Sequence, residues 1–231
     1  MLIFLDTETT GLEVNDKICS IAVIAQNNQG VVSKYDLVNE GKKIPPIASS
    51  INHITNEMIK DKNDLKSSEC YKFLESHNNE GTTIVGHNIK FDLEKLSKAG
   101  FRFKGTVIDT LRVTKHLIPE CELFSLQLLR YELKLYKNEV EEVVAHNAMG
   151  DALVVKSLYE YLLELASKDE MQKLSYKNVL LEKFQFGKYS GKYIEEICMN
   201  DKGYIEWMLN SISDLDEDLR YSIIYNLEGN R

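Results

Sequence analysis

Two acidic residues, Asp6 and Glu8, stand at the end of the apolar run that begins the chain. The run predicts a buried strand, and because residues two apart in a strand share a face, both carboxylates should point the same way. Paired carboxylates on a buried strand repel each other and are costly to desolvate, and a bound divalent cation is the usual remedy. The alternative is a strand end that reaches solvent, where the two acids need no partner.

Two more aspartates interrupt the hydrophobic pattern of predicted helices. Asp92 lies three residues after Ile89 and four before Leu96, so it shares a helix face with apolar residues. Asp151 heads an apolar stripe made of Val155, Leu158, Leu162 and Leu165. Both fall in the first helical turn, where an ordinary cap would also place an acid. Together with Asp6 and Glu8, however, they favour a site that holds cations.

His146 precedes Asp151 by five residues, so it is predicted on the loop that leads into the helix. From there its ring could reach the carboxylates, although a lone loop histidine is more often simply solvated. His53, His77 and His116 lack this acidic context, and we interpret them as structural or solvent-exposed.

The elements that must position these residues follow a mixed α/β pattern. The first strand is followed by strands at 17–27 and 31–38, and Pro45-Pro46 then breaks the pattern. Short strands are predicted at 82–85 and 106–108, and helices at 55–59, 65–76, 89–99, 110–117, 124–135 and 149–166. Asn88 is the expected N-cap of the third helix. Three strands followed by alternating helices and strands indicate a mixed sheet with flanking helices.

Composition narrows the class of protein. The chain has 231 residues, of which 43% are hydrophobic, as in globular proteins. No stretch approaches the roughly 18 apolar residues of a membrane span, and the N-terminus lacks the basic region of a signal peptide. Four scattered cysteines without a C-x-x-C pair fit unpaired thiols in the cytoplasm. The net charge of −8 argues against a general electrostatic nucleic-acid binder. The local excess of lysine and arginine at 87–116 is interpreted as a solvated helix face.

Three segments around the acidic residues resemble the motifs of the DEDDh 3′→5′ exonucleases, which include the epsilon proofreading subunits of bacterial DNA polymerases. These segments are Phe-Leu-Asp-Thr-Glu-Thr-Thr-Gly at 4–11, Gly-His-Asn-Ile-Lys-Phe-Asp at 86–92 and His-Asn-Ala-Met-Gly-Asp at 146–151. They occur in the family's order and spacing over about residues 1–166. The resemblance implies an RNase H-like fold, with a mixed sheet of five strands and flanking helices.

The resemblance also implies roles for individual residues. Asp6, Glu8, Asp92 and Asp151 would hold two Mg²⁺ or Mn²⁺ ions directly or through water, and His146 would be the general base. Substrate contacts are implied for Thr7, Thr9, Thr10, Leu12, Asn88 and Phe91. Leu12 is either an apolar wedge against the terminal base or part of the packed fold, and Phe91 is more simply explained as core. Asn52 stands where the family usually has histidine, so the contact made from that loop is expected to differ.

The domain organisation follows from a polar stretch near two thirds of the chain. We predict an exonuclease domain at 1–167, a linker at 168–182 and a small module at 183–231, with a hairpin turn bracketed by Gly187 and Gly191. Aromatic residues alternate with lysines in this module: Phe184, Phe186, Tyr189, Tyr193, Tyr204 and Trp207, with Lys183, Lys188 and Lys192. Such a pattern suits single-strand binding, or it supplies the core of a small domain. The stretch resembles the C-terminal region of the exodeoxyribonuclease X family.

These observations together predict a metal-dependent 3′→5′ exodeoxyribonuclease that releases nucleoside 5′-monophosphates from single-stranded or duplex DNA ends, in DNA repair or turnover. Three alternatives stay open. RNA could be the substrate, because the motifs do not distinguish the sugar. The chain could be a polymerase proofreading subunit, although its C-terminal module favours a stand-alone enzyme. A non-catalytic nucleic-acid-binding accessory is disfavoured because all five catalytic positions hold the expected residue types. No membrane association is expected.

Overall fold

The protein divides into two units, Met1–Ser175 and Tyr176–Arg231. The structure is a computed structural model, and it describes residues 1–121, 123–139 and 143–229. The sequence placed a linker at 168–182, whereas residues Lys168–Leu174 form a helix of the first unit, capped by the Ser167 hydroxyl. The polar composition at this point therefore reflects the exposed face of a short helix. The last two residues of the expected module, 230–231, lie outside the described residues.

The first unit is built on a mixed sheet of five strands, which confirms the predicted fold class. The strands are β1 Leu2–Thr9, β2 Ile18–Asn27, β3 Gly30–Leu37, β4 Thr83–Gly86 and β5 Thr106–Asp109, in the order β3-β2-β1-β4-β5. The pairs β3-β2 and β2-β1 are antiparallel, while β1-β4 and β4-β5 are parallel. β1 is the central strand, so both its faces are covered.

Eight helices flank the sheet in the described part of this unit. They are α1 Pro46–Asn52, α2 Asn56–Ile59, α3 Glu69–Ser76, α4 Ile89–Lys98, α5 Thr110–Leu117, α6 Leu126–Glu132, α7 Ala148–Leu162 and α8 Lys168–Leu174. The sequence predicted no helix at α1, but Pro46 occupies the first helical position, where a missing N–H costs nothing. The predicted helix at 65–76 is divided at Ser68, whose hydroxyl accepts from the Tyr71 N–H and begins α3.

The alternation of β1 between two hydrophobic cores decides where the acidic residues point. Ile3 and Leu5 pack in the core beneath α3 and α4, while Phe4 packs in the opposite core with α7. Asp6 and Glu8 continue the series of Phe4 along the strand. Their side chains are therefore directed to the face that α7 covers.

The second unit has a small core of its own. Helices α9 Ile194–Asn200, α10 Lys202–Ser211 and α11 Glu217–Leu227 enclose it, and a hairpin joined at Lys183 and Tyr193 precedes them. Gly187 and Gly191 both have positive φ, at 76° and 80°, as the tight turn requires. None of the helices in the described ranges combines the length and the hydropathy of a membrane-spanning segment.

Candidate active site

Three carboxylates converge where β1 ends against the beginning of α7. Asp6, Glu8 and Asp151 each present one oxygen, and these oxygens all lie within 4.8 Å of one another. Asp6 and Glu8 come from one face of the strand, and Asp151 comes from the first turn of α7, which packs against β1. The sequence indicated Asp6 and Glu8 from a strand pattern and Asp151 from a helix pattern. The fold places the three side chains next to one another.

Burial and mutual repulsion disfavour ionisation of this group. Burial raises the pKa of Asp6 well above its ordinary value, and the charges of Asp92, Asp151 and Glu8 raise it further. Burial, with the charges of Asp151 and Asp92, raises the pKa of Glu8 from 4.5 to about 7. Among the described residues, no lysine or arginine forms an ion pair with Asp6 or Glu8. The donor set is thus hard oxygen ligands in need of positive charge, which suits Mg²⁺ or Mn²⁺.

Asp92 joins this site from the opposite core. It lies buried in the first turn of α4 and accepts a hydrogen bond of 2.6 Å from the Thr7 hydroxyl. Burial raises its pKa from 3.8 to about 7, although the bond from Thr7 acts in the other direction. Its oxygens are not part of the group of three above, yet its charge raises the pKa of both Asp6 and Glu8. The four predicted acids therefore form one electrostatic unit.

The beginning of α7 fixes both Asp151 and His146. The Asn147 side chain caps the helix by accepting from the Met149 and Gly150 N–H groups, at 3.2 and 3.3 Å. A Cβ at position 150 would lie 2.2 Å from the Val144 carbonyl oxygen, so only glycine lets the loop pass this close. His146 has a φ of 56° and an exposed side chain. Its charge and a backbone hydrogen bond from it partly offset the rise that burial causes in the pKa of Asp151.

A second set of polar residues supports Asp151 and was missed by the sequence reasoning. The Gln127 amide on α6 donates to the Asp151 carboxylate. Arg130 donates to the side-chain oxygen Oε1 of Gln127 at 3.3 Å, and donates two bonds of 2.6 Å to the Glu139 carboxylate. Arg130 is only 8% exposed. Two polar side chains three residues apart, and so on one face of a leucine-rich helix, were the available signal.

Asn88 and His87 lie at the junction of β4 and α4. Asn88 occupies the expected N-cap position with a φ of 58°, but its side chain caps nothing and is exposed. Its N–H donates instead to Asp109 at 2.9 Å. His87 donates from Nε2 to the Phe124 carbonyl oxygen at 2.8 Å, and burial lowers its pKa to about 4. A neutral His87 therefore joins the end of β4 to the segment that begins α6.

The three threonines predicted to contact substrate use their hydroxyl hydrogens within the protein. Thr7 donates to Asp92, Thr9 donates to the Gly11 carbonyl oxygen at 2.7 Å, and Thr10 donates to Asp16 at 3.0 Å. Asn52, at the position where the resemblance led us to expect histidine, is buried and donates to the Thr9 carbonyl oxygen at 3.2 Å. Hydrogen bonds to α4, to the loop that follows β1 and from Asn52 thus fix the end of β1.

Leu12 projects from a loop that is anchored by lysines. Its side chain is 84% exposed, so it does not pack into the fold. Lys95 of α4 is buried, and its Nζ donates to the Glu13 and Asp16 carbonyl oxygens at 2.6 and 3.3 Å. The Asp16 carboxylate accepts from the Glu13 N–H and pairs with Lys42 at 2.7 Å.

The anchoring lysine also touches the half-buried Phe91, with Lys95 Nζ 5.0 Å from the ring centroid. The interpretation of the 87–116 lysines as a solvated face was therefore wrong for Lys95, because its amine replaces water with two carbonyl oxygens of the loop.

Comparisons with known proteins identify the family of this chain. The family model described as "Exonuclease" matches residues 3–159, and the model described as "Exodeoxyribonuclease X-like C-terminal" matches residues 184–213. The chain is 26% identical to Exodeoxyribonuclease 10 of Escherichia coli strain K12, over 99% of this chain and 100% of that protein. It is 30% identical to DNA polymerase III subunit epsilon of Treponema pallidum, over 68% of this chain and 74% of that protein.

A similar fold occurs among solved structures. A structure described as Exonuclease X in complex with 5′ overhanging duplex DNA matches with a TM-score of 0.62 and 24% identity, covering 76% of this chain and 99% of that one. At this identity the likeness is one of fold, and it agrees with the mixed sheet and the two-sided core described above.

Proposed function

Because this chain belongs to the exonuclease family, we propose that it is a metal-dependent exodeoxyribonuclease that releases nucleoside 5′-monophosphates from the 3′ ends of DNA. The DEDDh-type 3′→5′ exonuclease class predicted from the motifs is confirmed by the family match and the full-length relative. The observation that supports the proposal most is the convergence of Asp6, Glu8 and Asp151 within 4.8 Å, with raised pKa values.

The proposed chemistry assigns each residue a task. Two Mg²⁺ or Mn²⁺ ions held by Asp6, Glu8, Asp92 and Asp151 would activate a water molecule and stabilise the leaving 3′ oxygen. His146, exposed on the loop beside Asp151, accepts the proton of the attacking water. Thr7 keeps Asp92 oriented, and Gln127 does the same for Asp151.

Substrate contacts are proposed for the surfaces around these acids. Leu12 packs against the terminal base. Its side chain is 84% exposed on an anchored loop, so it can offer an apolar surface to the base without being withdrawn from the hydrophobic core. Asn88 presents its exposed side chain to the strand, and Phe91 presents the half-buried ring edge. Thr7, Thr9 and Thr10 contribute backbone groups and hydroxyl lone pairs, since their hydroxyl hydrogens are already donated.

DNA is proposed as the substrate because the full-length relative is named an exodeoxyribonuclease. Proofreading is the second candidate, since the epsilon relative has the higher identity, but its match covers a smaller share of this chain. We further propose that an exonuclease domain is followed by a C-terminal module of the kind found in DNA-degrading enzymes. We also propose a role in DNA repair or turnover, and a cytoplasmic location, which agrees with the four buried, unpaired cysteines.

The test is degradation of 5′-labelled single-stranded DNA, recessed duplex DNA and RNA in the presence of Mg²⁺. The expected result is progressive shortening from the 3′ end of DNA with release of nucleoside 5′-monophosphates, and loss of activity with EDTA or in Asp6→Asn. Asp61→Asn, which changes an exposed acid outside the carboxylate group, should retain activity. Cleavage of RNA alone would favour an exoribonuclease, and no product from any substrate would overturn the proposal.

A further inference from the structure

The structure sorts the aromatic residues of the second unit into core and surface. Phe184 is buried, and Tyr189 and Tyr204 pack partly against the same core. Trp207 is 52% exposed and Tyr193 is 53% exposed. Packing of a small domain therefore accounts for the buried rings and leaves Trp207 and Tyr193 half exposed.

Trp207 lies at the end of a continuous series of ring contacts. Its ring centroid is 5.6 Å from that of Tyr204, which in turn is 5.0 Å from Tyr189 in an edge-on arrangement. The Tyr189 hydroxyl donates to Asp201 at 2.6 Å. The half-open indole is thus supported by rings that are themselves fixed, which keeps the entropy lost on stacking small.

Positive charge accompanies this series of rings. The hairpin 183–193 contains three lysines and no acidic residue, in a chain of net charge −8. Lys188 Nζ lies 4.6 Å from the Tyr189 ring centroid and 5.8 Å from that of Tyr204, and pairs with Asp201 at 3.1 Å. The Lys188 side chain is nevertheless 62% exposed, so its amine is oriented and still open to solvent.

We propose that Trp207, Tyr204 and Lys188 form a binding surface for single-stranded DNA, remote in sequence from the catalytic residues. A base stacks on the indole and a neighbouring phosphate contacts the lysine. A single strand offers both an accessible base and a charged phosphate. The inference rests on the proposed function, because a nuclease that shortens a strand benefits from a second binding site for that strand. Such a site raises the effective concentration of the 3′ end at the catalytic residues without any new contact there.

Trp207 is the chain's one tryptophan, so its fluorescence reports on this surface directly. In the full chain, with EDTA present to prevent hydrolysis, oligo(dT) should quench the emission and reduce quenching by acrylamide. Trp207→Ala should weaken binding of a 5′-labelled oligo(dT) about tenfold, while Trp207→Phe retains most affinity. Lys188→Gln should lower the slope of log affinity against log salt by about 0.7. Tyr221→Ala, which removes a partly exposed ring on α11, should change nothing.

Activity separates this inference from the proposed function. On a dinucleotide, Trp207→Ala should keep the kcat of the unaltered chain, whereas on long single strands its KM should rise about tenfold. If the unaltered chain cleaves neither substrate, the proposed function fails whatever the fluorescence shows. If it cleaves both, and oligo(dT) leaves the Trp207 emission unchanged or Trp207→Ala binds equally well, the inference is overturned while the enzyme stands.

Discussion

His146 occupies a strained and open position next to the carboxylates. Its φ of 56° is unusual for a residue with a side chain, and the loop that carries it approaches Gly150 closely at Val144. Asn88, the other predicted site residue with positive φ, also stands at a helix start, at 58°. Both side chains are exposed, so the unusual backbone conformation at these two residues contributes more to the position of the side chain than to packing of the core.

We predict that His146→Ala lowers the rate of cleavage by about 10² to 10⁴-fold without loss of metal binding, because the histidine acts on the water and holds no cation. Single-turnover rates and a calorimetric Mn²⁺ titration would measure the two effects separately. Asp6→Asn is the reference, since it should reduce both. Equal activity of His146→Ala and the unaltered chain would remove histidine from the proposed mechanism.

A second prediction concerns Gln127, which touches Asp151 but lies outside the carboxylate group. Gln127→Leu has a similar volume but removes the donor, so Asp151 loses its orientation and Arg130 loses one acceptor. Residues that orient metal ligands typically contribute 10- to 100-fold, and we expect a loss of that size in Mn²⁺ affinity and in kcat. Gln127→Glu, which keeps the shape but adds repulsion, should be worse. Unchanged Mn²⁺ affinity in both variants would contradict the orienting role.

At the scale of elements, α4 connects the metal side of the site with the loop that bears Leu12. Asp92 and Lys95 lie one turn apart on this helix. The carboxylate faces Thr7 on β1, while the amine reaches across to the loop after β1. A shift of α4 would therefore displace an acid of the site and the exposed leucine together.

The third prediction follows from this connection. Lys95→Met removes the ammonium donor from the Glu13 and Asp16 carbonyl oxygens, and Glu13 keeps only its bond from the Asp16 N–H. The loss of a partner by a buried polar group typically costs about 1–3 kcal/mol. The loop should then open more often, seen as faster tryptic cleavage after Lys17 and a higher KM for DNA. Lys90→Met is the matched control, because Lys90 is an exposed lysine of the same helix. Identical cleavage rates in the two variants would show that the loop is held by other means.

The sequence predicted the strands and the long helices well, because apolar periodicity determines them directly. β2 and β4 begin within one residue of the predicted positions. α7 begins one residue early but ends at Leu162, four residues before the predicted end, and Leu165 of the predicted apolar stripe is exposed. What it could not predict were contacts between elements distant in sequence. The positions of Lys95 and Gln127 in their helices do not reveal their partners, and only the fold shows that the carbonyl oxygens and the carboxylate they reach are nearby.

At the scale of the whole molecule, the buried acids make the metal-free fold dependent on pH. The pKa of Glu8 and that of Asp92 are raised to about 7, from ordinary values of 4.5 and 3.8. The unfolded chain releases these protons near the ordinary values, whereas the folded chain retains them until about pH 7. The contribution of these groups to stability is therefore fully present below about pH 4 and is lost as the pH rises to about 7.

A divalent cation should reverse this loss, since it binds the ionised carboxylates of the folded chain only. We predict that a fixed Mn²⁺ concentration raises the Tm more at pH 7.5 than at pH 5.5, where protons compete with the metal. Differential scanning calorimetry of the full chain with EDTA or Mn²⁺ at both pH values measures the difference. In Asp6→Asn, one repelling charge is gone, so the metal-free Tm should rise at pH 7.5 while the Mn²⁺ effect shrinks. A Mn²⁺ effect independent of pH, or equal in that variant, would mean that the cation stabilises the protein elsewhere than at these acids.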